Sequence, residues 1–186
     1  MLRLISAFIL SALMILPAQA MKVNGVDMDE TVTLEGQNLV LNGAGVRVKW
    51  FVKGYVAGLY LQEKSNDAEA IITADAPLAV RLVITSSLIT PERMSESTRD
   101  GFVRSTQGNI APIEAEIDGM ISAFKDKVEE NDVFDLVYVP GTGVEVFRNG
   151  ERKATVAGME FKKAMFGIWL SKNNIQKDLK KAMVGQ

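Results

Sequence analysis

Neither cysteine nor histidine occurs anywhere in the 186 residues. No disulfide framework can hold this fold, so its stability must come from packing. The same two absences remove the usual zinc ligands, the Ser-His and Cys-His nucleophile pairs, and imidazole acid–base chemistry. A phosphate loop, a dinucleotide fingerprint and a metal-binding cluster are missing as well, and no repeat or low-complexity linker divides the chain. An excess of basic charge is also lacking. Lys and Arg number 21 against 23 Asp and Glu, which gives no basic field of the kind that grips nucleic acid.

What is present begins with a leader pattern. Met1-Leu-Arg3 is a short basic start, Leu4 to Leu16 is an apolar run, and Pro17-Ala-Gln-Ala20 ends in the small-x-small pattern that signal peptidase cuts. The run is too short to span a bilayer. Residues 1–20 are therefore expected to be a signal peptide cleaved after Ala20, and residues 21–186 one exported domain, periplasmic or secreted, without a membrane span. Loss of Arg3 leaves 20 basic against 23 acidic residues, a net charge of about −3.

Past the leader, Lys22-Val-Asn-Gly-Val and Thr31-Val-Thr-Leu with Glu35-Gly read as short strands and turns. Ser65 or Asn66 caps a short helix that Pro77 ends, and Leu78 to Thr85 is a strand with Val80, Leu82 and Ile84 alternating against Ala79, Arg81 and Val83. Thr90 caps a helix with Pro91 in its first position, running to about Gln107. Ile113, Ile117, Met120, Ile121, Phe124 and Val128 fall on one face of the clearest amphipathic helix. Val133 to Val139, Val144 to Arg148 and Arg152 to Val156 form a meander closed by Asn149-Gly150. Helices over Met159 to Leu170 and from Asn173 or Asn174 onward end the chain. The order argues for an α+β fold, a mostly antiparallel sheet covered on one face by helices. The acidic groups Asp27/Asp29/Glu30 and Glu129/Glu130/Asp132 read as solvated loops.

One stretch stands apart, Leu41 to Leu61. It is rich in β-branched and aromatic residues, has no Pro, and carries Gly43, Gly45, Gly54 and Gly58. It reads as a Gly-Ala-Gly turn feeding one long, bent central strand. Counting by two puts Arg47, Lys49, Phe51, Lys53 and Tyr55 on one face, with Val46, Val48, Trp50 and Val52 on the other; a bulge at Gly54 would shift that parity. A cation beside a phenol at the mouth of an apolar cleft suits a carboxylate with an apolar tail: Arg47 can hold it bidentately and Tyr55 can donate a further bond.

The same stretch resembles the signature of the chalcone isomerase superfamily, in particular its bacterial exported chalcone isomerase-like branch, through Asn42-Gly-Ala-Gly-x-Arg47 and the strand that follows. Met165-Phe-Gly-Ile-Trp-Leu-Ser-Lys and Asp178-Leu-Lys-Lys-Ala-Met resemble that branch's last two helices. The resemblance implies an open-faced β-sandwich. It also implies chemistry without metal or cofactor: the plant enzymes close chalcones to flavanones using the motif Arg, a strand Thr, and a Tyr and an Asn on a later helix. The family's fatty-acid binders keep that Arg and put a Tyr where the Thr stands. Arg47 and Tyr55 match the binder pattern, while Met94 and Gly101 fall where the catalytic Tyr and Asn belong. The resemblance thus implies a binder of a fatty acid or similar amphipathic carboxylate, with Arg47 and Tyr55 at the head group and Met94 lining the cleft. Two other readings stand beside it: an intramolecular lyase or isomerase acting on a chalcone-like or other small enone or phenolic substrate, and a structural or interaction module without a ligand.

Overall fold

Three Xaa-Gly pairs shape three hairpins. Asn24-Gly25, Glu35-Gly36 and Asn149-Gly150 hold positive φ at both residues (49° and 85°, 47° and 72°, 51° and 81°), as a two-residue turn matched to the twist of its strands requires. They join β1 (Ala20–Val23) to β2 (Val26–Asp29), β3 (Thr31–Leu34) to β4 (Gln37–Lys49), and β8 (Gly143–Arg148) to β9 (Glu151–Val156). The structure is a computed structural model and describes residues 20–186. The expected leader therefore lies, except for Ala20, outside the described residues.

The sheet runs in sequence order from β3 to β9, through β5 (Val52–Leu61), β6 (Leu78–Ile84) and β7 (Val133–Val139), and every neighbouring pair is antiparallel. β1 and β2 form a separate two-stranded sheet. Among the described residues five α-helices pack with the sheet: α1 (Ala68–Thr73), α2 (Pro91–Ser105), α3 (Glu114–Ile121), α4 (Met159–Leu170) and α5 (Lys177–Met183). The architecture is α+β, with a curled antiparallel sheet and its helices packed on one face. Alternation in β6 is as the sequence predicts: Val80, Leu82 and Ile84 are buried with Phe134, Leu136 and the helices, whereas Ala79 and Val83 belong to a second, smaller cluster on the other face with Met28, Leu39 and Tyr60. On that second face Arg81 Nε donates to Asp135 at 2.7 Å.

Several local expectations are corrected. The long central strand is two strands: β4 and β5 pair with each other, and Trp50-Phe51 is the turn between them. Gly-Ala-Gly is not a turn but lies within β4. The amphipathic segment around Ile113 to Val128 is split into a 3-10 turn, α3 and a second 3-10 turn that ends at Phe124; Ile113, Ile117, Met120, Phe124 and Val128 are buried and Ile121 is half-buried. α1 is capped by Asp67, whose carboxylate accepts from Glu69 N and Ala70 N, and α5 begins later than Asn173 or Asn174. Asp132 is no solvated loop residue. It is buried and accepts from Arg148 Nη2 at 2.6 Å and from Asn149 Nδ2 at 2.8 Å.

Two features fix how the helices sit. Asn42, the extra residue where the β4–β5 register shifts, is buried and donates to Ser65 O and Met183 O, while its own Oδ1 accepts from Ser65 N. A Cβ at Gly43 would lie 2.1 Å from Ala182 O, so the missing side chain lets α5 rest directly on the strand. Lys162 of α4 is wholly buried, and its Nζ donates to Ile71 O, Ile72 O and Ala74 O at 3.1, 2.6 and 2.7 Å. A cation at the C-terminal carbonyls of α1 answers groups that no later turn of that helix reaches.

Candidate functional site

Arg47 and Tyr55 are direct cross-strand partners of β4 and β5. The register then passes to Val48 opposite Lys53, which leaves Gly54 as the extra residue of a bulge. Partners across a ladder share a face, and Tyr55 packs on the helix-side core, so both side chains point under the helices. The parity argument along one strand reached the same pairing by a route the fold does not use.

Each of the two is held by a group near the chain's C-terminus. Arg47 Nη1 donates to Gln176 Oε1 at 3.2 Å and to Val48 O at 3.0 Å. Arg47 also stands close enough to the Tyr55 hydroxyl to act on it electrostatically. The Tyr55 hydroxyl accepts from Trp169 Nε1 at 3.1 Å, and its own proton has no protein acceptor among the described residues. Burial raises the Tyr55 pKa above its ordinary value, and the charge of Arg47 opposes that rise without cancelling it. The phenol thus stays protonated, and a donor, through neutral pH. Gln176 lay outside every sequence motif, and nothing linear ties position 176 to position 47. Trp169 of α4 is 4% exposed, and its indole N–H donates into the site.

Both residues line a cleft of about 540 Å³ between the sheet and helices α2, α3 and α4, within the range of pockets that enclose a small molecule. Its deep wall is apolar: Leu82, Leu136, Met120, Phe124 and Met165 are all at most 3% exposed. Its mouth is marked by the exposed Lys49, Trp50, Leu88 and Arg93. Met94 lies in the lining, buried. Gly101 lies elsewhere on α2, where a Cβ would stand 2.9 Å from Ile168 Cγ2; the helices pack too closely for an Asn at that position. The arrangement presents the Arg47 guanidinium and the Tyr55 phenolic O–H beside an apolar hollow.

The chain belongs to the chalcone isomerase-like family, whose sequence model matches residues 20–185. No curated protein matches it. Among solved structures it is similar to a fatty-acid binding protein of Arabidopsis thaliana, with a TM-score of 0.63 and 16% sequence identity. The match covers 83% of this chain and 96% of that one. At that identity the likeness is one of fold.

Proposed function

We propose that this protein is an exported, non-catalytic binder of a fatty acid or a similar amphipathic carboxylate. The observation that carries the reading is an open apolar cleft of about 540 Å³ lined by both Arg47 and Tyr55. Arg47 Nε and Nη2 take the carboxylate oxygens in the bidentate fork that guanidinium geometry favours, and Tyr55 donates a further bond. The tail lies along Leu82, Leu136, Met120, Phe124 and Met165, where its removal from water supplies most of the affinity. Membership of a family that includes binders, and the fold of a neighbour named for fatty-acid binding, support the ligand class. The leader pattern over residues 1–20 supports export to the periplasm or beyond. A hollow of this size argues against a structural module, which has no reason to leave it unfilled.

The test is native mass spectrometry of the mature chain, purified from an exported source without detergent. The expected result is a chain starting at Met21 with a co-purifying fatty-acid mass, lost in Arg47→Ala and weakened about tenfold in Tyr55→Phe, the scale of one hydrogen bond to a charged group. Bare spectra for native and variant proteins, persisting after incubation with assorted fatty acids, overturn the reading. Turnover of a chalcone that Arg47→Ala abolishes would replace it with the isomerase.

A further inference from the structure

The most exposed large apolar side chains among the described residues are neighbours: Trp50 at 84% and Phe51 at 99%. They form the two-residue turn of the β4–β5 hairpin, and both hold positive φ, 52° and 66°. Bulky residues strain the backbone there, and Asn-Gly is the easy solution. Among the described residues the three other two-residue hairpin turns with paired positive φ are all Xaa-Gly. At the fourth the chain keeps two aromatics that stand almost wholly in solvent. Leu88, exposed at 52%, adds apolar surface at the mouth of the cleft, and Val48, exposed at 40%, adds to it on the other face of the hairpin.

The hairpin that carries the tip bears charge of one sign. Lys49 and Lys53 flank the tip and are exposed, and no carboxylate occurs from Gln37 to Gln62. Lys53 Nζ donates to Asn24 Oδ1, a neutral partner that leaves its charge in place. Among the described residues lining the cleft, Glu96 is the one carboxylate, against Arg47, Lys49 and Arg93. Exposed Trp and Phe bracketed by lysines suit the boundary between headgroups and acyl chains of an anionic bilayer. Aromatic rings settle at that depth, and lysines are drawn to the surface potential.

We propose that the Trp50–Phe51 turn is a membrane-docking tip, which inserts into an anionic phospholipid surface and sets the mouth of the cleft against it. The docking rests on the tip alone. The consequence that the bound carboxylate is taken from or given to that surface rests on the function proposed above.

The experiment is co-sedimentation of the mature protein with phosphatidylcholine–phosphatidylglycerol vesicles and with phosphatidylcholine alone. Binding to the anionic vesicles is expected, with a blue shift in emission from Trp50, the exposed one of the chain's two tryptophans. Trp50→Asn/Phe51→Gly supplies the residues the turn prefers, so its melting temperature should rise while sedimentation falls roughly tenfold or more. Lys49→Glu/Lys53→Glu should lose the preference for anionic vesicles. Arg47→Ala should still sediment while losing fatty acid, so a failure of docking and a failure of the carboxylate site read out separately. Native protein that stays in the supernatant, or a Trp50→Asn/Phe51→Gly variant that sediments as the native does, overturns the proposal.

Discussion

Gln176 holds Arg47 from the far end of the chain. Its Oε1 accepts from Arg47 Nη1 at 3.2 Å and from Val48 N at 2.9 Å, and its Nε2 donates to Val46 O at 3.0 Å. One amide thus spans three consecutive residues of β4 and orients the guanidinium toward the cleft. Gln176→Ala should lower stability by about 1 kcal/mol, since partly buried backbone groups lose a partner. It should also weaken a carboxylate ligand severalfold by freeing Arg47. Gln176→Glu should weaken the ligand further, because a resident carboxylate competes for the same cation. Titration calorimetry beside urea denaturation separates the two effects. Equal ligand affinity in native protein and Gln176→Glu would remove Gln176 as the positioning residue.

Gly101 should tolerate no side chain without loss. Its missing Cβ lets α2 approach Ile168 of α4, with Cγ2, Cδ1 and Cγ1 at 2.9, 3.1 and 3.2 Å from where that atom would stand. Ile168 also lines the cleft. Gly101→Ala should therefore destabilise by about 1–3 kcal/mol, the usual range for overpacking, and narrow the hollow. Adding Ile168→Val should restore part of both losses, a coupling that a double-mutant cycle measures directly.

Stability should rise and then fall at alkaline pH. Burial pushes the Lys162 ammonium down to about 8, with Asp75 opposing that shift and Lys163 adding to it. The free side chain titrates near about 10.4, so between the two values the folded state binds fewer protons and stability increases with pH. Burial acts the other way on Tyr60 and Tyr138, each raised to about 12. From about 10 upward the unfolded chain releases phenolic protons that the folded state keeps, and stability declines. Urea midpoints should climb from about pH 8 to 10 and drop from about 10 to 12. Lys162→Met should flatten the first limb whatever its overall stability; an unchanged slope would place that titration elsewhere.

Much of the site was legible because its chemistry is local. Arg47 and Tyr55 stand out as a cation and a phenol in an apolar stretch, and Gly54 announces the bulge beside them. The hidden half was the hairpin. Trp50 and Phe51 are strong strand formers, so no turn residue marks the reversal and propensity carries one strand straight through it. Only the pairing of Arg47 with Tyr55 exposes the turn. The Asn42–Gly45 motif misled in the opposite direction. Its glycines suggest a turn, but at Gly43 and Gly45 they make room for Ala182 and Leu179 of a helix more than 130 residues later.

By itself the sequence determined the class of fold, the alternation of β6, and a cation and a phenol set within one apolar stretch. Those follow from side-chain periodicity and from the rarity of charge in apolar runs. Tertiary structure alone decided that the cleft is open, that Gln176 and Trp169 hold the pair, and that Gly101 is closed to an Asn. These depend on where α2, α4 and α5 come to rest against the sheet. That placement is set by contacts between residues far apart in the chain, which no local pattern encodes.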